Sequence, residues 1–283
     1  MKTHLTIGQI DYLNILPLFL ALKDHIPPSD EIQYVKGHPS LMNSAMATGD
    51  MDLAPASAFE YLLHAEQYRV LPNLSITAPQ GRVKSVFLMS PVPLAELPQW
   101  IKENGPTVNL TKASASSAAL LKVLWKFSWK LPEAEWNPIE PGTGHTLGRP
   151  FLEIGNLALR HWIRPPEGWH IIDLGQEWRD FTGLPFVFSV WIVRHGLSEA
   201  QQNLLRVVDE ALEKSKLTYN SYVSHIAEMD EFHSWITEEQ IEDYLSTLDY
   251  RLGPNEQASL ILFADYCRKL GLIPGSPALR WAL

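Results

Sequence analysis

The sequence predicts an α/β protein of two lobes with a central cleft between them, each lobe a mainly parallel sheet flanked by helices. Short apolar runs alternate with helical patterns along most of the chain, and that alternation builds βαβ units. The two most strand-like runs, "VKSVFLMS" and "PFVFSVWIVR", stand far apart in the chain, so the chain is expected to leave one lobe and later return to it. With 283 residues, 46% of them hydrophobic, there is material for two cores.

Each element has its own signal. "LTIGQI" reads as a strand and "PLFLALKDH" as a helix opening at its proline, whose fixed φ suits a first turn. "DEIQYVKG" and "DMDLAPAS" read as strands, each followed by a helix: "PSLMNSAMATG", ended by Gly49, and "AFEYLLHAEQY" respectively. Then come "VNLTKAS" as a strand, "SAALLKVLWKFSW" as a helix, and "FLEIGNLALRHW" as a short strand turning into a helix. After "WIVRHG" the chain reads as helical to its end: Ser198 and Gln201 form a capping-box signal, "TEEQIEDYLSTL" follows, and "PNEQASLILFADYCRKLG" stops at Gly271. The expected lobes are 1–88 with 196–283, and 89–195.

Bulk charge narrows the partners. Lys and Arg number 23 against 32 Asp and Glu, a net charge of −9, and no basic run exceeds two residues; nucleic acid is therefore not expected, because phosphate neutralisation needs clustered cations. No stretch approaches the ~18 apolar residues of a membrane span, and the start lacks an apolar leader. With Cys267 as the single cysteine, no internal disulfide can form, which agrees with a reducing compartment; a cytoplasmic protein is expected.

In sheets of this kind ligands sit beyond the carboxyl ends of strands, where loops and helix N-termini converge. Asn14, Ser57, Ser85, the trio Ser114, Ser116 and Ser117, and Asn156 all fall at such strand ends. All are small, neutral hydrogen-bonding residues, and a Ser-rich helix start offers N–H groups, hydroxyls and a favourable dipole to a carboxylate. A plainer reading stands beside this one, in which the serines are simple N-caps and Asn156 is a turn residue beside Gly155. Asn14 resists it, because it lies amid Ile10, Leu13, Ile15, Leu16, Leu18 and Phe19, and an amide buried without partners costs roughly 1–3 kcal/mol.

Other chemistries are poorly supported. The ten His residues are scattered without HExxH spacing, so no metal is expected. "GTGHTLG" places its third glycine one position late for a dinucleotide fingerprint, and the preceding "NPIEP" does not read as a strand. "HIAE", at His225 to Glu228, reads as a solvated helix face, and Cys267 lies on an apolar helix face, as a core residue does.

Taken in order, "GQIDYLNILPLF", "GHPSLMNSAMATGDMDLAPASAFEY", "SVFLMS", "SASSAALLKVL", "IGNLAL" and "DLGQEWRDFTGLPFVFSVW" resemble the motif series of the chorismate dehydratase family of the futalosine route to menaquinone. The resemblance runs over residues 5 to 195. It implies a type II periplasmic-binding-protein-like fold, the dicarboxylate chorismate as substrate, and a hydro-lyase reaction giving 3-[(1-carboxyvinyl)oxy]benzoate without a cofactor. Carried over, Asn14 and Ser85 would position the reacting part of the ring as the catalytic pair, while Ser57, Ser114, Ser116, Ser117 and Asn156 would bind substrate. Two positions depart from the family pattern: Ala58 stands where a second serine is usual after Ser57, and Asn156 stands where "IGD" is usual. A non-catalytic binding protein for a small carboxylate, and a divergent lyase on a related enolpyruvyl acid, are the alternatives.

Overall fold

The computed structural model describes residues 3–37, 39–275 and 277–283. His38 of the "GHPSLM" motif lies outside the described residues. In chain order the elements are β1 (Leu5–Gln9), α1 (Leu16–His25), β2 (Ile32–Lys36), α2 (Pro39–Thr48), β3 (Leu53–Ser57), α3 (Ala58–Leu63), β4 (Tyr68–Thr77), β5 (Val86–Ser90), α4 (Leu97–Asn104), β6 (Thr107–Thr111) and α5 (Ala115–Val123). There follow β7 (Glu135–Ile139), β8 (Phe151–Ile154), α6 (Gly155–Ile163), β9 (His170–Asp173), α7 (Leu174–Thr182), β10 (Val187–Arg194), α8 (Glu199–Thr218), α9 (Val223–Glu228), α10 (Glu238–Leu245) and α11 (Pro254–Lys269). None of the described helices is long and apolar enough to cross a membrane.

The chain forms two compact units, Met1–Ile76 with Val187–Gly253 and Pro277–Leu283, and Thr77–Phe186 with Pro254–Ser276. Each holds one five-stranded sheet. In the first the order is β2-β1-β3-β10-β4, with β1 parallel to β2 and β3, and β10 antiparallel to β3. In the second it is β7-β6-β8-β5-β9, with β6 parallel to β7 and β8, and β5 antiparallel to β8 and β9. β1 and β5 are buried at every residue, as their unbroken apolar runs require when both faces of a sheet are covered.

The local signals act as their chemistry dictates. Ser198 Oγ accepts from the Gln201 N–H while the Gln201 side chain accepts from the Ser198 N–H, completing the capping box of α8; Thr237 and Gln240 do the same for α10. The helix after Ser114 widens into a π turn over Leu124–Ser128, with Trp129 N–H donating to Leu124 O at 2.8 Å. Cys267 is fully buried and its thiol is pushed up to about 12 by burial, as a core residue should be. His225 and Glu228 of α9 are exposed.

Three readings need correction. "EWNPI" is a strand, β7; it pairs through β6 at the sheet edge, where Pro138 removes no bond the sheet needs. The end of the chain is not helical: Pro277–Leu283 is extended, and Trp281 bridges to Val70 in parallel. The lobe bounds shift: β5 belongs with the second unit and β10 with the first, and helix α11 belongs with the second unit, not the first. For α11 the cause is aromatic: Trp178 of α7 meets Phe263 and Tyr266 edge-on at 5.9 and 6.1 Å, and its indole N–H donates to Ser259 Oγ at 2.9 Å.

Buried charge is paired structurally in the first unit. Asp52 has no exposed surface; its Oδ1 accepts from Arg194 Nε at 2.6 Å and Gln201 Nε2 at 3.1 Å, and its Oδ2 from the Thr6 N–H at 2.8 Å. One carboxylate thus joins β1, β10 and α8, its buried charge met by a guanidinium and two further donors.

Candidate functional site

In the first unit, β1 and β3 run parallel, so their carboxyl ends meet at one edge of the sheet. Asn14 and Ser57 lie beyond that edge. Asn14 occupies a turn closed by Tyr12 O, which accepts from the Ile15 and Leu16 N–H groups at 3.0 and 2.9 Å. Its backbone carbonyl accepts from the Tyr250 hydroxyl at 2.8 Å. Its side-chain Oδ1 is buried and has no hydrogen-bond partner among the described residues. Ser57 caps α3, its Oγ accepting from the Glu60 N–H at 3.2 Å, so the plainer reading holds for its side chain. Ala58 is fully buried.

In the second unit the remaining five residues are brought to one edge. β6 and β8 are parallel, and β5 is antiparallel to β8 with Val86 opposite Ile154. The carboxyl ends of β6 and β8 therefore face the same way as the amino end of β5, where Ser85 sits. Ser85 is buried, its hydroxyl donates to Val83 O at 3.3 Å, and its carbonyl accepts from the Gly155 N–H at 2.8 Å. Ser114 caps α5: its Oγ accepts from the Ser117 N–H at 3.1 Å and lies 3.0 Å from Ser117 Oγ. Ser116 and Ser117 are buried in that first turn. Asn156 is the second residue of α6, half-buried, and the N-cap Ile154 supplies no side-chain bond. Four N–H groups open an α-helix without intrahelical partners, and they carry the positive end of its dipole. Two such helix starts stand at this end of the sheet, both on the β8 side of Ser85.

Sequence reasoning missed the residue that shapes it. Asp173 ends β9, opposite Phe87 of β5, and caps α7. Its Oδ1 accepts from Gly175 and Gln176 N–H at 3.0 and 3.1 Å, and its Oδ2 from Val83 and Lys84 N–H at 3.0 and 2.9 Å. Burial raises its carboxyl above the ordinary 3.8, with the four N–H bonds pulling the other way. Asp173 thereby fixes the segment before Ser85, in which Lys84 takes a left-handed φ of 59°. The pair Asp173 and Gln176, three apart ahead of a helix, was the available signal. Glu153, also buried, is raised by desolvation and accepts from the Gly142 N–H at 3.1 Å.

Both edges gather neutral donors and acceptors around helix N-termini, an arrangement that can hold carboxylates and orient a ring without a charged partner.

A family model described as menaquinone biosynthesis matches residues 5–269. The chain is 26% identical over 276 residues to a chorismate dehydratase of Thermus thermophilus, covering 92% of this chain and 93% of that one. It is 27% identical over 269 residues to a chorismate dehydratase of Campylobacter jejuni, covering 94% and 98%. Among solved structures it is similar to the periplasmic aliphatic sulphonate binding protein of Escherichia coli, with a TM-score of 0.64 at 16% identity over 98% of this chain and 90% of that one; the fold is the periplasmic-binding-protein fold. With 5–269 matched end to end, the chain belongs to the menaquinone-biosynthesis family.

Proposed function

We propose that the protein is a chorismate dehydratase that converts chorismate to 3-[(1-carboxyvinyl)oxy]benzoate and water without a cofactor. The observation that carries the reading is the buried, unpartnered Oδ1 of Asn14 at a strand end, in a chain that aligns over nearly its whole length with two chorismate dehydratases. Such an orphaned acceptor is what a ligand-binding edge leaves behind. In this assignment Asn14 and Ser85 position the ring, while Ser57, Ser114, Ser116, Ser117 and Asn156 hold the carboxylates.

The reaction removes the ring proton beside the enolpyruvyl ether and expels the neighbouring hydroxyl, and the two leave as water. Aromatisation supplies the driving force, so the protein's task is orientation and stabilisation of shifting charge. The proposed residues include no Asp, Glu or His, and a substrate carboxylate serves as proton acceptor. Glu153→Gln tests that step, because Glu153 is a buried acid three residues before Asn156 in the chain: turnover is expected to persist, and its abolition with binding intact would assign the proton to Glu153. The function itself is tested by incubating purified protein with chorismate and following the diene absorbance. Decay with appearance of the aromatic product is expected. Tight binding without decay would leave a binding protein, and neither binding nor decay would remove chorismate altogether.

A further inference from the structure

Gln9 closes β1 with only 2% of its surface exposed. Its amide is oriented by a relay: Nε2 donates to Asp11 Oδ1 at 2.5 Å, and Asp11 Oδ2 lies 3.0 Å from Lys36 Nζ. A carboxylate only accepts, so it takes the NH₂ end and leaves Oε1 as the free end of the amide. That oxygen is buried without a partner among the described residues, as are Asn14 Oδ1 and the indole Nε1 of Trp191.

Register relates these atoms. Ile7 is paired with Leu53, so Gln9, two residues on, stands level with Pro55, and Pro55 is paired with Trp191. Residues level across a sheet project from the same face, here the face on which Phe19 of α1 stacks with Trp191 at 5.3 Å. Asn14 lies in the segment that joins the end of β1 to the start of α1. Two acceptors and one donor thus stand unpaired in one region of the first unit, each a cost to folding if never met.

The chemistry of the set selects its ligand. A carboxylate or a ketone could accept from Trp191 but could give nothing to Gln9, and an ammonium could do only the reverse. A hydroxyl does both. Chorismate has one ring hydroxyl, the group the reaction expels. Building on the dehydratase reading, we propose that Gln9 is a specificity residue that receives the O–H of the substrate's ring hydroxyl, with Trp191 Nε1 supplying the donor on the same face.

The product lacks that hydroxyl, which separates this role from a general one. Gln9→Met keeps the side chain's length and removes its acceptor. Its dissociation constant for chorismate is expected to rise about tenfold, the factor a single hydrogen bond supplies, while that for 3-[(1-carboxyvinyl)oxy]benzoate stays within about twofold. Unchanged chorismate binding, or equal weakening for both ligands, overturns the proposal while wild-type turnover keeps the dehydratase reading; a wild type that neither binds nor consumes chorismate overturns both. Should Gln9→Met not fold, Asp11→Ala releases the amide from outside the core, and selective loss of chorismate affinity of about threefold is expected; no loss overturns the proposal.

Discussion

The side-chain oxygen of Asn14 is buried and has no partner among the described residues, while its backbone carbonyl is held at 2.8 Å by the hydroxyl of the fully buried Tyr250. The fold therefore invests in where the turn sits and gains nothing from the amide itself. Removing an unsatisfied polar group costs little stability, whereas losing an oriented group in a reacting site costs on the order of 100-fold in rate. Asn14→Ala is expected to lower kcat/KM for chorismate by about that factor and to leave the thermal midpoint nearly unchanged; a variant that melts early yet turns over normally would make Asn14 a structural turn residue. Asn14 was legible in the sequence because an amide amid six apolar residues is anomalous. Gln9 was not, since a polar residue ending a strand is ordinary until the register and the Asp11 bond show which end of its amide is committed.

Among elements, the helix caps contribute to stability whatever part they take in binding. Ser57 and Ser114 spend their Oγ atoms on the N–H groups of Glu60 and Ser117, so Ser57→Ala and Ser114→Ala should each lose about 1 kcal/mol in a urea titration; no loss at Ser114 would mean α5 does not depend on its cap. Helix α8 carries a titratable liability. The Asp209 carboxyl is raised from 3.8 to about 6, first by burial and then by Glu213 and Glu210, against Lys216. A raised acid binds its proton more tightly when folded, so its favourable contribution is complete below 3.8 and is lost as pH rises through 6. Asp209→Asn should therefore stabilise the protein above pH 6, by about 1 kcal/mol at most because the group is half-exposed, and do nothing near pH 3.5; thermal midpoints across that range check the sign. The strands with unbroken or alternating apolar runs were readable, and those that were missed have physical excuses. β4 contains Pro72 and Asn73, the latter at φ 58°, residue types that favour turns over strands. β7 is an edge strand with Pro138, and β9 has four residues.

For the molecule as a whole, the sequence showed two α/β bodies but not which one receives α11, because that depends on Trp178, Phe186 and Phe263 meeting from distant parts of the chain. It did show the charge. A chain of net charge −9 repels a dianionic substrate at long range, while helix-start N–H groups attract it only within about a turn. These two ranges respond oppositely to salt: the screening length falls from about 30 Å at 0.01 M to about 8 Å at 0.15 M, which removes the repulsion and spares the short-range hydrogen bonds. Raising ionic strength across that interval should therefore increase kcat/KM for chorismate, by about twofold, with kcat at saturation flat, in contrast to an enzyme that steers its anion with a basic surface. Initial rates at several salt concentrations measure this directly. A fall in kcat/KM would mean that a positive field reaches the substrate from afar, and the neutral donors at the two strand edges would then be insufficient to account for binding.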